Sequence, residues 1–414
     1  MQDDMPYDAV IIGGGPAGST AATMLARRGR RVLVLEKETF PRFHIGESLL
    51  PYNQRLFREL GLLEEVESAG FVKKLGAQFW LGNGKHGVEV RFTDGRFNEE
   101  TSAFHVERSR FDDLLLKRAR DAGAEVREGT AVQGYTVAGD RVAVQTDGGP
   151  VEGRFLIDAS GQSNFTGNRE GLRETYAGHR KVAIFGHFQG VKRPEGDKSG
   201  DIVIVRLENE WAWLIPIDEE RMSVGLVLES ARLKGGAGTP ADLFDRTVAG
   251  SSLLREKMGG ATRVGPLHTI VDYSYRNRRF VSPRLVRIGD AAGFMDPIFS
   301  SGVYLAMESA ARAVPAIEDA LKSGSGSSRA LLRYEKWLRR SMGLYWKLIE
   351  RFYTRPFIEV FVAPDPPMHL QMAVNSVLAG RLEQTWAVRW RLRVFYWLVR
   401  LRRWVKFTPE IEFS

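Results

Sequence analysis

YDAVIIGGGPAGSTAATMLARRGRRVLVLE, residues 7–36, is the stretch that decides the fold. Tyr7 to Ile12 is an apolar strand. Gly13-Gly14-Gly15-Pro16-Ala17-Gly18 breaks it, Ser19 to Arg28 follows a helical pattern, and Arg31 to Leu35 is a second strand closed by Glu36. In a strand–turn–helix–strand unit the glycines permit a tight turn, close backbone approach to a pyrophosphate, and tight packing of helix on strand. An acid closing the second strand accepts hydrogen bonds from an adenosine ribose. Flanked in this way, the GxGxxG pattern predicts a Rossmann-like α/β unit. Its cofactor-binding candidates are Gly13, Gly15, Pro16, Ala17, Gly18, Glu36 and the adjacent Lys37.

A second stretch answers the first from far along the chain: LVRIGDAAGFMDPIFSSGVYLAMESA, residues 285–310. Leu285 to Ile288 is a short apolar strand. It ends at Gly289-Asp290, loops through Pro297 and Gly302, and runs into a helical pattern. A carboxylate at the carboxyl end of a strand sits where α/β folds bind ligands, and Asp290 has no apolar stripe to join. The amides of Ser300, Ser301 and Gly302 fall at the start of the following helix, where the helix dipole favours an anion or an electron-rich ring edge.

Together these stretches resemble the glutathione-reductase-type FAD enzymes, in the branch with p-hydroxybenzoate hydroxylase. Three further segments are similar to the flavin-dependent halogenases. Phe294 to Gly302 matches FxxPxxSxG, Trp211 to Pro216 matches WxWxIP, and Gly70-Phe-Val-Lys-Lys74-Leu-Gly-Ala77 resembles the segment that carries the family's catalytic lysine. His44-Ile-Gly-Glu47-Ser48 and Ser223-Val-Gly225 also look like halogenase sequence. One position departs: Glu210 stands where the family has Gly before the tryptophan pair. The resemblance covers about Tyr7 to Ala320.

It implies an FADH2-dependent halogenase. FADH2 comes from a separate flavin reductase, and with O2 and chloride or bromide yields hypohalous acid. That oxidant halogenates an electron-rich aromatic, phenol- or pyrrole-like, free or tethered to a carrier protein. Lys74 is then the catalytic residue, guiding the oxidant by hydrogen bonding or as a chloramine. Lys73 points the other way on a strand, and burial would lower the pKa of Lys74. FAD contacts extend to Glu47, Ser48, Arg108, Asp290, Gly302 and Val303. Ser300, Ser301 and Gly302 supply halide donors. Trp211, Trp213, Pro297 and Phe299 wall the substrate from the flavin, although two tryptophans on one side of a strand equally describe core packing. No residue matches the glutamate that assists the lysine of tryptophan halogenases. A hydroxylase or lipid double-bond reductase on the same fold is the alternative, but it would lack the lysine and FxxPxxSxG together. A flavin-free carrier of that fold would lose Gly13, Gly15, Gly18, Glu36 and Asp290.

Bulk properties bound this reading. The 414 residues are 43% hydrophobic and 27% charged, enough for two or three soluble domains. With no cysteine there are no disulfides and no thiolate metal sites, which fits a cytoplasmic, reducing setting. The histidines show no metal-ligand spacing. Asp3 and Asp4 make an amino terminus unlike a signal peptide. The net charge of +8 is dispersed and gives no nucleic-acid signature.

Domains follow from the alternation of patterns. Residues 1–80, 105–165 and 278–322 make a discontinuous FAD-binding domain. Residues 81–104 and 166–277 make an inserted antiparallel substrate sheet, read from VAIFGHF, DIVIVRL, WAWLIPI and MSVGLVL. After a flexible linker at Ser323–Ser328, residues 329–414 form a helical region with a break at 364–367. Within it, residues 384–407 carry Trp386, Trp390, Val394, Trp397, Leu401 and Trp404 on one helix face, with seven basic residues and no acid. Such a helix either buries its Trp face on the FAD domain or docks at a membrane surface or an acidic carrier protein.

Overall fold

The computed structural model describes all residues except 1–4, 94–96, 177, 235–237, 364–366, 409 and 414. The expected break at 364–367 and Asp3 and Asp4 therefore lie wholly or partly outside the described residues, as does part of the glycine-rich segment 234–240 that the sequence reads as a connection.

The amino-terminal strand Tyr7–Ile12 is central to a sheet whose order is Val281–Ser282, Leu285–Arg287, Gly149–Asp158, Tyr7–Ile12, Val32–Leu35, Glu125–Arg127. The five strands from Leu285–Arg287 to Glu125–Arg127 pair in parallel, so their carboxyl ends share one edge. Tyr7–Ile12, Val32–Leu35, Leu285–Arg287 and the Phe155–Asp158 end of Gly149–Asp158 are buried nearly throughout and read as apolar runs rather than alternating ones, whereas Glu125–Arg127 is a charged edge strand. Pro16–Ala26 and Ser301–Ser323 pack against each other over this sheet. The strands Val132–Ala138 and Arg141–Thr146 add an antiparallel flap to Gly149–Asp158.

A second sheet has the order Thr262–Val271, Lys181–Gln189, Arg221–Glu229, Trp211–Pro216, Ile202–Arg206, Gly76–Leu81, Gly87–Arg91. It departs from expectation in three ways. Ile202–Arg206 pairs with Gly76–Leu81 in parallel, so the sheet is not wholly antiparallel. Gly76–Leu81 belongs to this sheet, so a boundary at residue 80 cuts a strand. The helices Pro240–Gly250 and Ser252–Met258 interrupt the run of strands and close one face over Val182, Ile184, Leu214 and Leu226. Two glycines let tryptophans lie flat on this sheet. A side chain at Gly225 would collide with the Trp213 ring opposite it, and one at Gly87 with Trp80.

The carboxyl-terminal region is helical as expected: Arg329–Phe352, Arg355–Phe361, Leu370–Leu378 and Trp386–Leu401. The linker before it is tied down rather than free. Arg284 binds the carbonyls of Gly324 and Gly326, and Ser328 caps the next helix at Leu331 N. The tail after the last helix is not helical. It returns to bury Ile411 and Phe413 against the second sheet.

Candidate active site

A cavity of ≈ 450 Å³ opens at the carboxyl edge of the parallel sheet and runs to the inner face of the second sheet. Its first part is the glycine turn. Gly13 has φ +100°, and a Cβ there would strike Ala159 O; a Cβ at Gly18 would collide with Gly13 O. Both glycines are thus demanded by packing, and Gly18 does not face the cavity. Gly15 differs. A Cβ there would meet only Arg42 Nη2 at 3.5 Å, and no side chain caps the helix it precedes. The open cradle at Gly15, Pro16 and Ala17, with uncapped amides at a helix start, fits a pyrophosphate. Glu36 holds the turn, accepting from Gly14 N at 2.7 Å and Glu38 N at 3.0 Å, and lines the cavity beside Lys37. These features fit a dinucleotide bound in extended form.

Deeper in, Asp290 faces the cavity and is half-buried. Burial pushes its carboxyl up to about 7 against the opposing pull of Arg108. It is poised to accept or donate to a polyol. Arg108 is buried and clamped: Nε and Nη2 reach Asp112 at 2.8 and 2.9 Å, and Nη1 reaches Ile45 O at 2.6 Å. Its guanidinium fixes the Ile45–Ser48 turn and lines the cavity, whereas Arg110 lies outside on Ala69 O. Glu47 accepts from His187 Nε2 at 2.6 Å, and this hydrogen bond raises the His187 pKa despite burial. The other oxygen of Glu47 is buried without a partner among the described residues.

The helix Ser301–Ser323 begins at the cavity. Ser300 has left-handed φ of +54° and donates its own amide to Pro297 O at 2.9 Å. That corrects the expected donor set, because this amide is already spent. Ser301, Gly302 and Val303 occupy the first turn, ahead of any intrahelical acceptor, and no side chain caps them. Gly302 and Val303 line the cavity, while Ser301 is buried behind it. A Cβ at Gly302 would touch protein only at Phe294, 3.5 Å away.

Lys74 ends the short strand Val72–Lys74, paired with Ala103–His105. It is 2% exposed, and its neighbour Lys73 is exposed. Nζ donates to Ser48 Oγ at 2.9 Å and Leu49 O at 3.1 Å, and sits 5.5 Å from the Phe92 ring centre. Burial pushes the ammonium down to about 7, with the charge of Asp201 opposing the shift. Lys74 does not itself line the cavity; Ser48 does. The serine therefore connects lysine to cavity, a link that its place in the Glu47-Ser48 phrase did not reveal.

Trp211 and Trp213 line the cavity from the second sheet, their ring centres 5.7 Å apart. Trp213 Nε1 donates to Ser223 Oγ at 3.1 Å, and Trp211 Nε1 to Tyr353 Oη at 2.8 Å. Tyr353 Oη donates in turn to Asp296 Oδ2 at 2.9 Å, and His179 Nε2 lies 3.0 Å from the same oxygen. Pro297 reaches the cavity next to Asp296. Phe299 does not; it packs edge-on to Phe352 in the core. Tyr353 and His179 escaped the sequence reading because neither stands in a motif. Glu210 turns away from the cavity to Arg232 and the amide of Glu229.

The tryptophan halogenase family model matches residues 8–98 and 90–360. The chain is 33% identical over 408 residues to the 1H-pyrrole-2-carbonyl-[peptidyl-carrier protein] chlorinase of Pseudomonas fluorescens, covering 91% of each. It is 32% identical over 381 residues to the corresponding brominase of Pseudoalteromonas luteoviolacea, covering 89% of this chain and 91% of that one. Among solved structures, the flavin-dependent brominase Bmp2 superposes with a TM-score of 0.85 at 30% identity, covering 96% of this chain and 100% of that one.

Proposed function

The chain belongs to the tryptophan halogenase family of flavin-dependent halogenases, an enzyme family with FAD as cofactor, and from that premise we propose that it chlorinates or brominates a pyrrole- or phenol-like ring through Lys74. The single observation that carries the proposal is the Lys74 ammonium. It is buried and oriented by Ser48 and Leu49, with no carboxylate in hydrogen-bond contact among the described residues. A lysine is not placed so for stability, because desolvating it costs free energy unless paired.

The flavin, held by the Gly15 cradle, Glu36, Asp290 and the amides of Gly302 and Val303, would in its reduced FADH2 form supply with O2 the two-electron oxidation of halide to hypohalous acid. The amides at the start of the Ser301–Ser323 helix offer the halide donors without a competing acid. Trp211 and Trp213, braced by Tyr353 and Ser223, keep the aromatic ring from the flavin. Ser48 Oγ, which lines the cavity and accepts from Lys74 Nζ, then hydrogen-bonds the oxygen of hypohalous acid and links it to the ammonium. The ring carbon takes the halogen, the halogen–oxygen bond breaks, Lys74 protonates the departing oxygen to water through Ser48, and the ring proton returns to the neutral amine left behind. Losing water from a protonated oxygen is general acid catalysis, and an acid with a pKa near 7 is matched to it. The curated relatives in Pseudomonas and Pseudoalteromonas act on pyrrole-2-carbonyl groups tethered to a peptidyl carrier protein. A carrier-tethered ring is the form we assign to the substrate here, with FADH2 delivered by a separate reductase.

Lys74→Ala tests the assignment. It should abolish halogenated product, read by mass spectrometry of pyrrole and phenol candidates in free and carrier-tethered forms, while the protein still copurifies with FAD and still reoxidises FADH2. Lys73→Ala, one residue away and solvent-facing, should retain product. Product from Lys74→Ala at the wild-type level would remove Lys74 from the reaction.

A further inference from the structure

The last helix carries two apolar faces, and only one is used by the fold. At ~100° per residue, Val388, Leu392, Phe395 and Val399 fall on one side, and all four are buried. Trp386, Trp390, Trp397 and Leu401 fall on the other. Trp386 is 73% exposed, Trp397 is 59% exposed, and Trp404, just past the helix end, is 84% exposed. Val405 and Phe407 continue the exposed apolar strip. Of the alternatives open from sequence, burial of the Trp face on the FAD domain is therefore not the one the fold takes. The aliphatic and Phe side of the helix does that packing.

The strip is edged with uncompensated positive charge. Arg389, Arg393, Arg400 and Arg403 are exposed and have no acidic partner among the described residues. Their neighbours behave differently: Arg402 is buried 3.1 Å from Glu359, and Lys406 pairs with Glu410. Free guanidiniums thus alternate along the chain with exposed indoles, and residues 384–407 contain no acid.

We propose that this face is a docking surface for an anionic phospholipid membrane, with the helix lying in the interfacial plane. Single exposed apolar side chains are ordinary, but several exposed tryptophans in a row mark an interaction surface. Indole suits the headgroup level, because its body is apolar and its N–H needs a polar partner. Guanidinium pairs bidentately with phosphate. Trp386 and Trp397 lie along a straight helix edge roughly 16 Å apart at 1.5 Å per residue, a geometry that a flat lipid surface meets without a shaped groove. A second copy of this chain is disfavoured, since a two-fold contact through this face would set the same arginines against one another. The helix would lie on the bilayer and not cross it, as no helix among the described residues is long and apolar enough to span. This inference is independent of the proposed chemistry.

Co-sedimentation of the full-length protein with vesicles tests it. The protein should bind phosphatidylglycerol–phosphatidylcholine vesicles at low salt. Binding should weaken by at least about tenfold on phosphatidylcholine alone and at high salt, because exposed charges are screened. Trp386→Ser/Trp397→Ser/Trp404→Ser, and separately Arg389→Gln/Arg393→Gln/Arg400→Gln/Arg403→Gln, should each show a comparable loss with FAD content unchanged. Vesicles bearing brominated acyl chains should quench the tryptophan fluorescence of the wild-type protein, which tests the docking without any variant. Wild-type protein left in the supernatant at low salt, or equal binding to neutral vesicles, overturns the proposal. So does retention on an acidic carrier domain that the same variants abolish while vesicles are ignored.

Discussion

Lys74 is a side chain whose chemistry and stability pull in opposite directions. Its ammonium has an ordinary pKa of 10.5 in the unfolded chain and about 7 in the fold, because burial penalises the charge. Below pH 7 both states are protonated and the full penalty is present. Between pH 7 and 10.5 the folded lysine sheds its proton first, so the penalty shrinks as pH rises; above 10.5 it is gone. A shift of this size corresponds to an upper bound of roughly 5 kcal/mol. Lys74→Met, which keeps the aliphatic stem and removes the charge, should therefore raise the melting temperature by several degrees at pH 6, by little at pH 10, and end halogenation at both. A destabilised Lys74→Met, or a gain independent of pH, would show that the lysine is paired well enough to repay its burial. Trp213 poses the related question of whether a wall is only packing. Its ring covers Gly225 and its N–H is held by Ser223. Trp213→Ala should let substrate reach the flavin end of the cavity and yield hydroxylated product alongside halogenated product, measured as mass shifts of oxygen against halogen. Loss of stability with no oxygenated product would leave packing as its whole role.

At the scale of elements, what could be read from sequence was what is local. The glycine turn, its strands and Glu36 lie within thirty residues, and the strand pairing and turn hydrogen bond that define the motif are made within that stretch. Yet the equivalence of the three glycines in the motif is broken by the fold. Gly18→Ala would drive a methyl into Gly13 O, so it should lower the melting temperature of the flavin-free protein markedly. Gly15→Ala has room for its methyl and a φ of −69° that alanine accepts, so the flavin-free protein should melt as wild type. FAD affinity should nevertheless fall at least about tenfold, because the methyl occupies the pyrophosphate cradle. Thermal melts with and without FAD separate the two. The Trp211–Tyr353–Asp296–His179 chain was illegible for the opposite reason: its links span 142, 57 and 117 residues. The last helix was half legible. Its period was plain, but a helix apolar on both sides leaves to tertiary packing the choice of which face is buried, and here the smaller side chains won.

Across the whole molecule, the second sheet is joined to the carboxyl-terminal helices at Arg206. This side chain is fully buried and has no carboxylate partner among the described residues. It donates to the carbonyls of Leu207, Glu210, Phe352 and Tyr353, and its guanidinium lies 5.6, 5.5 and 5.4 Å from the ring centres of Phe352, Tyr353 and Phe413. Burial lowers its pKa to about 10, but a guanidinium so placed still carries its charge at neutral pH. One cation thus ties together the strand Ile202–Arg206, the end of the helix Arg329–Phe352 and the returning tail. Tyr353, one of its partners, braces Trp211 at the cavity. Arg206→Met preserves the stem but strands four carbonyls. It should destabilise by about 3 kcal/mol or more and, if the protein still folds, loosen the wall through Tyr353. Phe413→Ala removes only a ring from the same cluster and should cost about 3 kcal/mol without reaching the wall. The two are separable by product ratio at a temperature where both remain folded. Arg206→Met should raise oxygenated product, as Trp213→Ala does, and Phe413→Ala should not. Equal product ratios in the two variants would mean that Arg206 holds the domains together but does not set the geometry of the site.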